Sequence, residues 1–386
     1  MSIVLNADVM SFYKSVLKTL KYDKTYSLSK KASDISRESV HYGLYTNFIF
    51  DVNYASIKAR TLNSSFDTTD VAINDTLDLF GKGNYKVKKL SLDLKEKKSL
   101  LDLQKEQLFI TLVDILAQYH KIDEQSSLHT TLLEEQENIY NKLQKLQQSG
   151  AIRSIDLLRF KNTITTLKTK IISEKSELNK MKKQLKLYAP NEVIPTLKQN
   201  KLLYHKEDFL TYNPSLKIND INSQRLNTQA KISKISYLPD ITAGIAYQKL
   251  GDPTGYGDNY SFNIGLHIPL NGGDFKQAEA LKIQSLTQKN KDIQYKINRE
   301  NEYIKLYEDY LNAQKQLAIL RESLNDYNKS EKTIKISFLK QYVDFITYLQ
   351  VLNQTLDIKE KIINMKYQES SRVTMLNMIS SGKIYE

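Results

Sequence analysis

The sequence predicts a mainly α-helical chain that also contributes membrane β-strands, and it predicts that one structural unit occurs twice. Two observations support this prediction. Segment 71–81 aligns without a gap on segment 262–272, and segment 150–158 aligns on 341–349, both at an offset of 191 residues. The chain also has only 12 Gly and 6 Pro in 386 residues. This leaves little material for the loops of globular domains, so most of the chain must be long helix.

The duplication divides the chain into two repeats and a connector. The first repeat spans residues 1–188, with a helix, a β-hairpin at 42–80, a long helix at 83–149 and a return helix at 151–188. The connector spans residues 189–212. The second repeat spans residues 213–386, with a helix, a β-hairpin at 240–271, a long helix at 273–338 and a return helix at 344–380.

Each repeat begins with a polar amphipathic helix, predicted at residues 6–40 and again at 213–237. The second copy has a clear start, because Asn213 is a good N-cap residue and Pro214 is tolerated in the first helical turn. Pro239 ends this helix, since proline cannot continue a helix and favours an extended conformation in the residue before it.

Two strands follow in each repeat, and each alternates large apolar side chains with small or polar ones. The apolar face is predicted to contact lipid and contains Phe48, Phe50, Val52, Val71, Ile73, Leu77, Ile245, Phe262, Ile264, Leu266 and Ile268. The opposite face contains Asp51, Asn74, Gly244 and Asn263. A period of two with one apolar and one polar face is typical of a membrane barrel with a wet lumen. An ordinary sheet over a soluble core stays open as the alternative, because each strand signal is weak by itself.

The long helices carry apolar residues at a spacing of seven. On the first long helix these are Val87, Leu94, Leu101, Leu108, Ile115 and Ile122, and on its return helix they are Leu157, Ile164, Ile171, Leu178 and Leu185. Such a seam requires a partner helix in an antiparallel coiled coil. At about 1.5 Å per residue, the first long helix extends on the order of 100 Å.

Composition excludes several classes of function. The chain has no Cys, which rules out disulfides, thiol catalysis and cysteine-ligated zinc. Its net charge of +12 comes from Lys spread along the helices, which is typical of a solvated helical face, so no nucleic-acid partner is expected. The five His show no metal-ligand spacing, and no catalytic residue, metal ion or cofactor is predicted.

The N-terminus and the hydropathy pattern bear on export. No run of about eighteen apolar residues occurs, so no transmembrane helix is predicted. The first residues lack a charged region followed by an apolar one. If the protein is exported, its signal peptide has therefore been removed.

Three segments carry a resemblance to a known family. They are the helix from Asn213-Pro214 to Leu238-Pro239, the strand 260–270 with Asn271-Gly272-Gly273 after it, and the turn at 150–158. In order, spacing and duplication they resemble the TolC-like outer-membrane efflux protein family over essentially the whole chain. The resemblance implies a homotrimer in which each chain gives four strands to one twelve-stranded barrel, continued by an α-helical tunnel across the periplasm.

The resemblance also implies partners, a location and a role. The partners are outer-membrane lipid, a periplasmic adaptor (membrane fusion protein) and an inner-membrane transporter of the RND, ABC or MFS type. The location is the outer membrane of a Gram-negative bacterium, with an extension into the periplasm. The role is a passive exit channel in tripartite efflux or type I secretion.

The same resemblance places a periplasmic gate at the two helical turns. Its candidate residues are Gly150, Asp156, Arg159, Phe338, Lys340, Gln341, Tyr342, Asp344, Thr347 and Gln350. Asp156 matches a family aspartate, whereas Gln341, Thr347 and Gln350 replace the usual glycine and aspartates, and Phe338 replaces a gate tyrosine.

The spacing at these turns predicts a latch. Asp156 and Arg159 share a helix face, and we expect them to reach Lys340, Tyr342 and Asp344 on the neighbouring hairpin. The alternative is that these charges are only solvated and that Phe338, Phe345 and Ile346 close the tip by apolar packing.

Two other functions compete with the channel. A soluble periplasmic coiled-coil scaffold or adaptor would explain the seven-residue spacing but not the four strands at equivalent places in both repeats. A nucleic-acid-binding enzyme rests only on net charge and lacks a catalytic constellation. The sequence therefore favours the passive channel.

Overall fold

The computed structural model of the chain describes residues 8–45, 48–59, 64–78, 80–150, 152–198, 200–236, 238–251, 258–268, 272–340 and 342–386. Its helices are α1 (Val9–Thr19), α2 (Tyr22–Tyr45), α3 (Lys82–Gln148), α4 (Ser154–Tyr188), α5 (Lys206–Thr211), α6 (Pro214–Ile235), α7 (Gly272–Asn290), α8 (Asp292–Leu339) and α9 (Phe345–Ser380). Its strands are β1 (Ile49–Ala59), β2 (Ser64–Leu77), β3 (Asp240–Gly251) and β4 (Asn259–His267), and a short 3₁₀ turn follows at Lys383–Tyr385. The predicted fold class, long helices with four strands, is confirmed.

The chain divides into two compact units. The helical unit contains Met1–Tyr22, Asp102–Asn213 and Ile297–Glu386, and the sheet unit contains Asp23–Leu101 and Pro214–Lys296. Each unit takes segments from both predicted repeats, so the repeats are units of sequence rather than of packing.

The N-terminal helix predicted at 6–40 is two helices, because Lys21 adopts a left-handed conformation with a φ of 57° between α1 and α2. At the offset of 191 residues, α1 corresponds to α5 and α2 to α6. The segment predicted as a connector at 189–212 thus contains a helix, and the repeated unit begins earlier than predicted. The first hairpin was also placed too early at residue 42, because α2 continues to Tyr45, with no proline to stop it.

The second long helix, predicted as one helix at 273–338, is interrupted between α7 and α8. Asn219 of α6 donates from its side-chain amide to the carbonyl of Gln288 at 2.8 Å. The N–H of Lys291 also donates to that carbonyl, at 3.1 Å. This is a bond across three residues rather than four, so the helix tightens at this point and restarts at Asp292.

The core of the helical unit is apolar and dense. Phe109, Val113 and Leu116 of α3 are fully buried. The Tyr13 ring packs edge-on against Phe109, with centroids 5.2 Å apart, and its hydroxyl donates to the carbonyl of Lys105 at 2.9 Å. Each such side chain contributes roughly 1.5–3 kcal/mol by leaving water. No described helix combines the length and apolar character that a membrane-spanning helix requires.

The buried seam of α3 differs from the predicted one. Its buried positions also repeat at seven, first as Leu92, Ser99, Glu106 and Val113 and then as Ile122, His129, Gln136 and Leu143. The predicted seam from Val87 to Ile115 is only half-buried, because polar residues hold several of the buried positions. The seam of α4 matches the prediction, with Ile164, Ile171 and Leu185 buried.

Candidate membrane-facing sheet and helical tips

The four strands form one antiparallel sheet in the order β1-β2-β3-β4. The register pairs Phe50 with Ile73, Ile73 with Ile245, and Ile245 with Phe262. Directly paired residues point to the same face of a sheet, so these four side chains form one row across it. The alternation predicted from the sequence therefore puts apolar residues of both repeats on one shared face.

This apolar face is open in the single chain. Phe262 is 69% exposed and Ile264 is 70% exposed. Among the predicted lipid-facing residues, Phe48, Phe50, Val52, Ile73, Ile245, Phe262, Ile264, Leu266 and Ile268 are exposed and Val71 is half-buried, whereas the side chain of Leu77 lies outside what the structure describes. An exposed apolar surface that crosses four strands indicates contact with lipid or another protein.

The opposite face is polar and closely packed. Asn74, Gly244 and Asn263 lie side by side in the register. The Asn74 amide donates to Asp51 at 3.2 Å. A Cβ at Gly244 would collide with the side-chain oxygens of Asn74 and Asn263, so glycine makes room for these two amides. The alternation predicted a polar face, but it did not predict this requirement for Gly244.

Both edges of the sheet are open within the described strands. β1 pairs only with β2, and β4 pairs only with β3. The outer N–H and C=O groups of these two strands therefore have no sheet partner in the part of the chain described, which makes each edge able to accept another strand.

The start of α3 is fixed to the sheet by polar contacts. The Asp78 carboxylate accepts from the backbone N–H groups of Lys82 at 3.0 Å and Gly83 at 2.8 Å, as a helix cap does. The Lys82 ammonium lies 2.7 Å from Asp240 and donates to the carbonyl of Leu238 at 3.3 Å. These contacts tie the first repeat to the start of β3.

The first helical tip lies between α3 and α4. Gly150 has a φ of 77°, a conformation that favours glycine. Asp156 is buried in the first turn of α4, where Arg153 donates to it at 2.8 Å and Arg159 lies 3.8 Å away. Both partners belong to the same hairpin.

The second tip lies between α8 and α9 and is mainly aromatic. Phe338 and Tyr348 stack with centroids 4.7 Å apart, and Phe345 packs edge-on against Phe160 of α4 at 5.8 Å. Ile139, Leu143 and Ile164 complete the same buried cluster. The cluster therefore joins the two hairpins by apolar contact.

The charged groups of the second tip do not form the predicted latch within the chain. Asp344 caps α9 by accepting from the N–H of Thr347 at 2.7 Å. Hydrogen bonds from Thr347 lower the pKa of Asp344, and the charge of Arg153 lowers it further. Within the described residues, Asp156 makes no bond to Lys340, Tyr342 or Asp344, because the arginines of its own hairpin already occupy it.

The remaining tip candidates are placed as follows. Lys340, Tyr342, Thr347 and Gln350 are exposed, and Gln341 lies outside the described residues. Nowhere in the described ranges are three or more His, Asp or Glu side chains arranged to hold a metal ion.

The solved structures similar to this chain include outer-membrane channels. The channel OprN matches with a TM-score of 0.82 at 12% identity, covering 97% of this chain and 89% of its own. CusC, whose study describes transmembrane channel formation, matches with a TM-score of 0.81 at 12% identity, covering 97% and 92%. The CmeC outer-membrane channel of Campylobacter jejuni matches with a TM-score of 0.73 at 14% identity, covering 97% and 86%.

Comparison with protein-family models and with curated sequences finds no significant match. The fold implied by the resemblance to TolC-like proteins is nevertheless confirmed, since nearly the whole chain superposes on these channels.

Proposed function

We propose that the protein is an outer-membrane exit channel of a tripartite efflux or type I secretion system. It conducts substrates passively from the periplasm, or from an inner-membrane transporter, to the exterior. The observation that carries this proposal is the two-faced sheet. Its apolar row of Phe50, Ile73, Ile245 and Phe262 is open, and its other face is polar.

A homotrimer supports this role better than a single chain does. Four strands cannot close into a barrel, and an open edge in hydrocarbon would leave each unpaired backbone group at a cost of several kcal/mol. A barrel of about eight strands is already filled by its own side chains. Three copies would supply twelve strands, which closes the edges and leaves a lumen lined by the polar face.

The partners and the location follow from the same proposal. Outer-membrane lipid would cover the apolar face in a Gram-negative bacterium, and the helices would extend into the periplasm. There a periplasmic adaptor and an inner-membrane transporter of the RND, ABC or MFS type would dock. As in other tunnels of this kind, the inner-membrane partner would select the cargo.

A soluble periplasmic scaffold or adaptor is the second candidate. It would use the long helices equally well, but the exposed face of Phe262 and Ile264 argues against it. In water this surface would drive aggregation.

Membrane fractionation, native mass and conductance test the proposal together. We expect detergent to be needed for extraction from outer membranes, a mass of three chains in nanodiscs, and stepwise currents in planar bilayers. A stable monomer in membranes would contradict the barrel. A protein that stays soluble without detergent and carries no current would support the scaffold instead.

A further inference from the structure

His129 lies in α3 and is fully buried in the helical unit. Its Nδ1 lies 2.9 Å from a carboxylate oxygen of Glu174 in α4. Its Nε2 lies 2.7 Å from a carboxylate oxygen of Glu360 in α9. One side chain therefore connects three helices through two polar contacts.

Three charged groups face this imidazole from the described parts of the packed helices. They are Glu174 and Lys170 from α4 and Glu360 from α9, and the Lys170 ammonium lies 2.6 Å from Glu360. With a protonated imidazole the cluster has two positive and two negative charges. With a neutral imidazole it keeps an excess negative charge in a largely buried place.

The contact geometry indicates whether the His129 ring is neutral or protonated. A carboxylate only accepts hydrogen bonds, and a neutral imidazole has one N–H donor and one lone pair. A neutral His129 would therefore bond one glutamate and turn its lone pair towards the other glutamate at hydrogen-bond distance. A protonated ring donates from both nitrogens, so with both glutamates ionised the contacts are satisfied only by the imidazolium form.

The pKa shifts of His129 and Glu360 agree with a protonated ring. Burial lowers the pKa of His129, because it disfavours charge, but the hydrogen bonds to Glu360 and Glu174 outweigh burial and the net pKa is raised. The hydrogen bond from His129, with smaller help from Lys170, lowers the pKa of Glu360 to about 2. The imidazolium is therefore stable above the pH at which a free histidine loses its proton.

We propose that His129 is a proton-dependent clamp, which holds α3, α4 and α9 together when protonated and releases α4 or α9 when neutral. The clamp goes beyond the channel function and acts within the helical unit whether or not the chain conducts. As the pH rises and His129 loses its proton, the attachment of α4 and α9 to α3 would loosen. These two helices are the return helices that follow the two tips.

The direction of the pH effect follows from linkage. A group whose folded pKa is raised stabilises the fold fully below its unfolded pKa, about 6.5 for histidine, and loses this contribution as pH rises through the folded pKa. The clamp should therefore be complete near pH 6 and open at more alkaline pH.

Nitrogen NMR of the full chain, labelled with [¹⁵N]histidine in detergent, tests the protonation state directly. With only five His in the sequence, the imidazole signals can be assigned by substitution. We expect the signal that disappears in His129→Gln to keep imidazolium shifts to higher pH than the other signals. Glu360→Gln should move its titration to lower pH. A neutral ring at pH 6 would overturn the proposal.

Thermal unfolding at pH 6 and pH 9 tests the coupling of the helices. Gln at position 129 is uncharged at both pH values, so His129→Gln should lose most of the pH-dependent fall in Tm that the wild type shows, a difference of at least about 2 °C. His120→Gln is the matched control, because His120 is also on α3 but its Nε2 contacts the carbonyl of Pro195 at 2.7 Å. The control should keep the wild-type pH dependence.

Equal pH dependence in the wild type and His129→Gln would overturn the clamp. If His129→Gln does not fold, Glu360→Gln supplies the same comparison, since it removes one of the two carboxylates and keeps the histidine. Neither measurement requires conductance, so failure of the channel proposal would leave the test of the clamp intact.

Discussion

Apolar side chains meet opposite environments in the two units of this chain. Phe109 and Leu116 of the helical unit are completely buried by their own chain, whereas Phe262 and Ile264 of the sheet unit are about 70% exposed. All four are large apolar residues, so the residue type alone does not explain the difference in exposure. The difference shows that the helical unit completes its own core, while none of the described residues covers the apolar face of the sheet.

The contrast also separates two kinds of periodicity. In most of the sheet apolar and polar residues alternate, as expected where only one face avoids water, and the exceptions include Ile49 on the polar face and Asp75 on the apolar face. In α3 the buried face includes Glu106 and His129, because Arg299 of α8 and two glutamates of α4 and α9 supply partners for them. Burial by lipid tolerates almost no polar group, whereas burial by protein tolerates those that are hydrogen-bonded.

The largest expected effect is loss of a core side chain in the helical unit. Phe109→Ala should lower the free energy of unfolding by roughly 3–5 kcal/mol, since it leaves a cavity in a packed core. Phe262→Ala is the matched control on the exposed face and should leave the unfolding of detergent-solubilised helices nearly unchanged. Circular dichroism during thermal unfolding measures both. Equal losses would mean that the sheet face is also packed by protein.

A charge on the apolar face should have the next largest effect. Ile264→Arg or Phe50→Arg should cost roughly 2–4 kcal/mol near mid-membrane and reduce assembled protein. Asn263→Arg and Asn74→Arg on the opposite face should assemble and change the single-channel conductance. Quantitative blots of outer-membrane fractions and planar-bilayer recordings give the two readouts. Equal tolerance on both faces would remove the distinction between lipid and lumen.

Two glycines sharpen the comparison within the sheet unit. Gly244→Ala should destabilise the sheet, because the new methyl group displaces the amides of Asn74 and Asn263, but by less than the roughly 1–3 kcal/mol of overpacking in a rigid core, since both amides end flexible side chains. Gly43→Ala, in α2, has no atom within 4 Å of the new Cβ, and it should stabilise the helix by roughly 0.5–1 kcal/mol. Heat-induced dissociation of the assembled protein measures both changes. The same sign for both would mean that the polar face is loosely packed.

The smallest effect concerns the cap at the start of α3. Asp78→Ala should cost about 0.5–2 kcal/mol, because the backbone N–H groups of Phe80, Lys82 and Gly83 lose their acceptor. Asp78→Asn keeps an oxygen acceptor and should retain most of the stability. Hydrogen exchange of the first turn of α3 is the direct measurement. Unchanged protection in Asp78→Ala would show that the sheet itself fixes this turn.

Much of the fold could be predicted from the sequence. The strands were predictable because a sheet with one apolar face leaves an alternation in sequence, as at Phe262, Ile264 and Leu266, and the duplication reinforced each weak signal. The break between α7 and α8 could not be predicted, because the side chain that bonds to the backbone there is Asn219, a residue on another helix. The apolar pattern does not predict the buried seam of α3, because polar residues occupy several of its positions.

The tips show the same limit. The sequence predicted that Asp156 and Asp344 lie near each other, but it did not show that each carboxylate contacts a local group instead, Arg153 for one and the N–H of Thr347 for the other. The sequence does not single out His129, because this residue lacks metal-ligand spacing. The seven-residue series Ile122, His129, Gln136 and Leu143 was the signal that could have identified it as a buried group.

In the proposed trimer, the open edges of β1 and β4 also affect how the protein is produced. A chain can form the internal backbone bonds of α3 alone, but the outer bonds of the edge strands would come from other copies, so finishing the sheet would be an intermolecular step. Its rate falls with the number of copies present, whereas helix formation does not depend on that number. At low synthesis rates the unfinished sheet persists longer and has more time to pair wrongly. Yield should therefore depend on how quickly copies meet as well as on final stability.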